Sequence, residues 1–248
     1  MISLIVGDSM KTILLKFAGP MQSWGTNSNF ENRHTDFYPS KSAVIGMIAA
    51  SLGYRRNEDG KIRKLNELSF AVRIDQPGNI LKDYHTARKN IKKLSAKGNY
   101  VTNRYYLEDA VFVVAISHKD DILMAEIENS LKSPWFQTFL GRRSLPLTAD
   151  FFLKSTENGL IDSLSKIEWQ ASKWYKDKTK EDAVKLEIYS DFHEGDAKQI
   201  TMRKDRVISF SQMNRQFNYR YESVSTVEIS NRTFDYSTTH DVFESVGD

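Results

Sequence analysis

The 248-residue sequence contains no cysteine, which removes disulfides, thiolate metal sites and cysteine nucleophiles at once. It also lacks any run approaching the roughly eighteen apolar residues that a membrane-spanning helix requires. The first ten residues, MISLIVGDSM, carry a short apolar stretch but neither a basic start nor a small-residue cleavage site. They read as an extension ahead of the first strand, not as a signal peptide. These absences together fit an intracellular, cytoplasmic protein. The histidines (His34, His85, His118, His193, His240) are scattered, and none forms a pair with metal-ligand spacing. No Walker or Rossmann glycine motif and no Gly-x-Ser-x-Gly elbow is present. The aromatic signature of RNA-recognition motifs is missing too, and there are no internal repeats. No cofactor is expected.

What is there is a chain able to build a core: 40% of residues are hydrophobic and 12% aromatic. The net charge of +3 is small, but its distribution is not even. Between Lys82 and Arg104 lie seven basic residues (Lys82, Arg88, Lys89, Lys92, Lys93, Lys97, Arg104) against one acid, Asp83, so this window is +6. A local field of that kind attracts a polyanion whatever the overall charge. The other extreme is Glu222 to Asp248, with six acids and one arginine, which reads as a solvated tail over residues 231–248.

Pattern reading gives the order β-α-β, an insertion, then β-α-β. Lys11 to Phe17 is a strand ended by Gly19-Pro20. Ser40 caps a helix with Val44, Ile45, Ile48 and Leu52 on one face. Leu68 to Asp75 alternates like a strand, and Ala110 to Ile116 is a continuous apolar run suited to burial on both faces. Asp120 to Leu131 has helical spacing, and a further strand is expected near Ala149 to Leu153. The fold class is therefore α+β, a split βαβ palm of ferredoxin-like or RRM-like type over residues 11–155. Right-handed crossovers would set both helices on one side and leave the other sheet face open. Residues 79–106, strand-like at both ends and basic in the middle, read as an inserted β-hairpin thumb. Residues 156–230 read as a small β-rich C-terminal region with a weak core.

Several groupings carry candidate chemistry. Gln22, Ser23 and Trp24 follow the first strand as a hydrogen-bonding and stacking set, the plain alternative being a turn with Trp24 as a core plug. Tyr84, His85 and Arg88 stand near the thumb base, where bases stack on rings. His85 beside Tyr84 also has the composition of acid–base machinery for RNA cleavage, although a lone histidine is more often structural. The loop Leu140-Gly141-Arg142-Arg143-Ser144 offers paired arginines beside glycine, suited to phosphate. Lys89, Lys92, Lys93 and Lys97 interleave with Tyr84, Tyr100, Tyr105 and Tyr106, as single-strand binders do.

The stretches ILLKFAGPMQSWG (Ile13–Gly25), FYPSKSAVIGMIAASLG (Phe37–Gly53), LKDYHTA (Leu81–Ala87), NRYYLEDAVFVVAI (Asn103–Ile116) and FLGRRSLPL (Phe139–Leu147) resemble, in order and spacing, the CasD family. That family is the guide-capping subunit of the type I-E CRISPR Cascade complex. The resemblance implies a palm and thumb that hold the bent 5′ handle of a CRISPR RNA. It implies contacts with the first backbone subunit and the large PAM-reading subunit, no membrane, no small-molecule substrate and no catalysis. It places Gln22, Ser23, Trp24, Tyr84, His85, Arg88, Arg142 and Arg143 near the handle. Lys41 and Ser42 join them at a helix N-terminus where amides attract phosphate, and the thumb lysines Lys89, Lys92 and Lys93 would track phosphates or the adjacent backbone subunit, with Arg104 a further RNA-binding candidate. Two other functions fit the residues. One is a metal-independent endoribonuclease that processes CRISPR repeat RNA, as a sister branch does in type I-C systems. The other is a protein-interaction domain with no RNA role.

Overall fold

A computed structural model describes residues 10–29, 31–88, 99–192 and 199–232. Along the chain run β1 (Lys11–Ala18), two-residue strands β2 (Met21–Gln22) and β3 (Asn32–Arg33), α1 (Lys41–Ser51), α2 (Asp59–Lys64), β4 (Ser69–Gln76), β5 (Asn79–Arg88), β6 (Asn99–Glu108), β7 (Val111–His118) and α3 (Asp121–Lys132). There follow β8 (Phe152–Thr156), the short helices α4 (Leu160–Lys166) and α5 (Lys173–Lys178), and β9 (Ala183–Asp191), β10 (Ile200–Ser209) and β11 (Gln216–Ser230). The protein is mixed α+β, with strands predominating. Among the described residues no helix is long and apolar enough to cross a membrane.

Seven strands form one antiparallel sheet in the order β10-β11-β9-β4-β7-β1-β8. The centre is apolar on both faces because the strand sequences are: β7 is buried from Val111 to Ser117, and β1 buries Thr12 to Leu15 together with Phe17. Odd positions of β1 (Ile13, Leu15, Phe17) meet Phe112, Val114, Ile116 and α1 and α3 in the main core. Both helices start where the sequence supplies a cap. Ser40 Oγ accepts from the Ala43 amide, and Asp120 accepts from the amides of Ile122 and Leu123. The strand expected near Ala149 to Leu153 is β8, which begins later, at Phe152, with Asp150 held by Lys16 at 2.7 Å ahead of it.

The second sheet face is not open, contrary to expectation. Leu14, Ala71, Val113, Ala115 and Ile188 are covered there by Leu164 and Ile167 from α4 and its exit. The anchor is Arg73, fully buried on β4. It forms two 2.7 Å bonds with Asp75 and donates to the carbonyls of Leu164, Ile167 and Glu168, so all five guanidinium N–H groups are used. Asp75 in turn accepts the Gln170 amide at 2.6 Å.

The C-terminal strands continue this sheet: β9 pairs with β4 through Ala71–Arg73. They also wrap around α1, whose burial extends beyond one stripe to Lys41, Ser42, Met47 and Ser51. At the β10 edge, the Asn66 side chain donates to Val207 O at 2.8 Å and accepts from Val207 N at 3.0 Å.

Candidate nucleic-acid interface

β5 and β6 pair in register from Asn79–Glu108 to Arg88–Asn99, so the insertion is a hairpin for all its described length. The other edge of β6 carries β2 at Glu108 and Leu107, and β3 at Asn103 and Arg104. Between them the Tyr105 carbonyl lacks a strand partner, and Arg142 fills the gap. Its Nη2 donates to Tyr105 O and Arg33 O, each at 3.1 Å, while its guanidinium lies 4.2 Å from the Tyr106 ring centre.

Arg142 reaches this point because two loops are locked backbone to backbone. Gly141 has φ +86°, and a Cβ there would sit 1.7 Å from Ser23 O; Ser23 N donates to Leu140 O at 3.2 Å. Only glycine permits both the left-handed backbone and the approach. The GPMQSWG and LGRRS stretches are thus one structural unit.

Side chains alternate along a strand, so β6 sorts its chemistry by face. Tyr105 stacks on His34 with centroids 5.1 Å apart and planes 15° apart, and Lys82 Nζ lies 6.0 Å from the same ring. Tyr84, two residues from Lys82 and 64% exposed, belongs to this ring face. On the other face are Arg104, its parallel partner Arg33, and Arg142. No carboxylate pairs with any of the three among the described residues, and the buried atoms Arg104 Nε and Arg142 Nη1 have no hydrogen-bond partner. Burial, then repulsion from Arg104 and Arg33, pushes the Arg142 pKa down against an opposing pull from Tyr106. Asp83 stands opposite Arg104 in register, but three crowded guanidinium groups facing one acid, with no ion pair formed among the described residues, are an arrangement that a further anion completes.

The expected site residues divide into groups. Arg104 and Arg142 come together, and Arg143 is exposed beside them. Tyr84 and His85 share β5 but face opposite sides, His85 toward the arginine face and exposed. Arg88 closes β5; Lys89, Lys92 and Lys93 lie outside the described residues.

Five residues require correction, because their side chains point into the protein. Gln22 is fully buried, donating to Phe17 O at 3.2 Å and Ala110 O at 2.7 Å, and it accepts the Trp24 indole N–H at 3.0 Å. Trp24 stacks on Phe17 at 5.4 Å and is the core plug. Ser23 is 7% exposed and serves the loop lock. Lys41 and Ser42 are buried as well, and the amide-rich start of α1 already holds an anion: the Lys41 amide donates to Asp205 Oδ2 at 2.8 Å. The Lys41 ammonium, its pKa lowered by burial, is bound to Asp191 at 2.8 Å. Two site members went unread, Arg33 and His34. Their two-residue strand β3 has no periodicity, and its parallel pairing spans 71 positions, so no local signal marks it.

A family model described as CRISPR-associated protein (Cas_Cas5) matches residues 12–221. The CRISPR system Cascade subunit CasD of Escherichia coli (strain K12) is 35% identical over 155 residues, covering 57% of this chain and 69% of that protein. A chain from a CRISPR RNA-guided surveillance complex superposes with a TM-score of 0.70 at 30% identity, over 88% of this chain and 91% of that one. A crystal structure of a Cas protein gives a TM-score of 0.62 at 26% identity, over 89% and 95%.

Proposed function

The chain belongs to the CRISPR-associated Cas5 family, and from that footing we propose that it is a non-catalytic, CRISPR RNA-binding subunit of a Cascade surveillance complex that holds the 5′ handle of its guide. The observation that carries this is the Arg33–Arg104–Arg142 group, crowded, outnumbering the single acid Asp83 across from it, without an ion pair among the described residues and with two unpartnered nitrogens, on the hairpin that carries the ring face on its other side. A strand bent over the β3 edge of the hairpin meets guanidinium groups for its phosphates on one face. On the other it meets the Tyr105–His34 stack and Tyr84 for its bases. A sharply turned strand suits two faces better than an extended one does.

In this reading residues 11–155 are the palm and the hairpin at 79–106 is the thumb. The order β4-β7-β1-β8 supports a ferredoxin-like palm, being the order a βαββαβ chain adopts when its two middle strands are joined by a hairpin. Backbone and PAM-reading subunits of Cascade are the protein partners this function requires. Catalysis of the type I-C kind is disfavoured by Tyr84 and His85 lying on opposite strand faces, where they cannot serve one 2′-hydroxyl.

The test is co-expression with guide RNA and partner subunits, followed by crosslinking and sequencing. Repeat-derived 5′ ends crosslinked to residues 99–108 are expected, with log affinity falling against log salt at a slope of about −2 for three phosphates. Specific cleavage of repeat RNA in EDTA, lost in His85→Ala, would replace the reading with the nuclease.

A further inference from the structure

The β10–β11 ribbon carries a second surface that the hairpin site does not use. Its two strands pair from Ile200–Ser223 to Ser209–Gln216. The ribbon divides its charges by face. Between residues 199 and 223 the only acids are Asp205 and Glu222, 0% and 2% exposed, and both point inward to Arg220. The exposed charges of the same segment are all positive: Lys204, Arg206 and Arg215. Among the described residues none of these three forms an ion pair.

The outward face also carries rings. Ser190 and Ser223 hydroxyls meet at 3.0 Å on the side of the sheet away from α1, strand alternation puts Tyr221 on that side, and Tyr219, at the register shift next to it, is placed there by its contact with the exposed Lys204. They are 60% and 51% exposed. Lys204 Nζ lies 5.8 Å from the Tyr219 ring centre, and Met202 stands opposite Tyr221 in register. Among the described residues the cluster under α4 and its exit reaches as far as Ile188 and Val227, and beyond it Ser190 and Ser223 are buried while Tyr219 and Tyr221 are exposed.

We propose that this face is a second single-strand nucleic-acid site, with Tyr219 and Tyr221 as a two-ring stacking platform and Lys204 and Arg206 as its phosphate contacts. Rings two positions apart on a strand lie about 6.8 Å apart, wide enough to take one base each. A sheet presenting aromatic side chains with flanking cations is how single strands are held without sequence preference. Charge selects nucleic acid over a protein partner: a protein docking surface needs no uniform sign, whereas here both acids between residues 199 and 223 are turned inward.

The experiment uses the full chain with the hairpin site filled by unlabelled guide RNA. Fluorescein-labelled dodecauridine and, separately, dodecathymidine are then titrated and followed by anisotropy. Tyr219→Ala with Tyr221→Ala is expected to weaken binding by about 10-fold or more, while the paired Tyr→Phe variant stays within about 3-fold of wild type, since the ring is what stacks. The tighter of the two probes identifies RNA or DNA as the strand. Binding must also persist in Arg33→Ala with Arg104→Ala, which separates this site from the hairpin. Undiminished binding by the alanine pair would overturn the proposal. So would loss of binding in the Arg33/Arg104 variant, or an alanine pair that spares the oligonucleotides and weakens assembly with partner subunits.

Discussion

Two groups of cations in this molecule differ in burial and in the company they keep. Around the start of α1, Lys41, Arg203 and Arg220 are interleaved with Asp36, Asp191, Asp205 and Glu222. Arg220 alone contacts three of those acids, at 3.1, 2.7 and 2.9 Å. At the hairpin base, Arg33, Arg104 and Arg142 face one another with one acid, Asp83, opposite Arg104, and among the described residues none of the three forms an ion pair. The first group spends its charge inside the fold and fastens the C-terminal strands to α1; the second keeps its charge for something outside. Counting basic residues cannot separate the two. Burial and partners can.

The sharpest way to break the comparison is to remove an acid from the closed group. Asp205→Ala takes one of its three acids from Arg220 and the only side-chain acceptor from the first amide of α1, and a loss of about 3 kcal/mol is expected. For a chain of this size that lowers the melting temperature by about 10 °C. A variant as stable as wild type would show that the acids do not hold this region together.

Gly141→Ala attacks the open group's scaffold. The left-handed φ and the approach to Ser23 O give an expected loss of about 2–3 kcal/mol by thermal denaturation, with guide affinity falling as Arg142 leaves its place. Retained affinity would mean that the loop lock does not position the site.

Arg33→Ala with Arg104→Ala should do the reverse of Asp205→Ala. The salt slope of guide binding becomes shallower by about 1.4, two single-strand increments, and the melting temperature holds or rises because repulsion is relieved. A fall in melting temperature matching that of Asp205→Ala would erase the distinction between the groups.

The smallest effect belongs to Glu128, a carboxylate held near the sheet edge by Lys132, Ser155 and Lys11, which bring its pKa from 4.5 to about 2. A depressed carboxylate stabilises above its unfolded value and loses that contribution as pH falls through the folded one. Melting temperatures of wild type and Glu128→Gln should therefore differ by the equivalent of about 1 kcal/mol or less at neutral pH and converge between pH 4.5 and 2. A constant gap would assign the effect to packing instead of charge.

These contrasts also explain which parts of the fold were readable. β1, β7, α1 and α3 declare themselves through local periodicity and caps within a few residues. The cover over the second sheet face does not: α4 is short and polar, and it is held by Arg73 and Asp75, which resemble a solvent-facing pair in LSFAVRID. What buries them is a set of carbonyls 91–95 positions downstream. Gln22 and Trp24 misled for a related reason, since each satisfies the other's polar atom at 3.0 Å and so both can be buried. Arg142 was visible as a motif, but its neighbours Arg33 and Arg104 required the strand pairing to be known.

The amide of Asn66, bonded to both backbone groups of Val207, stands where the next strand would begin. An open sheet border is a template on which another chain can grow. Here one side chain occupies the rung at Val207, so a strand from another chain cannot pair with β10 at that point.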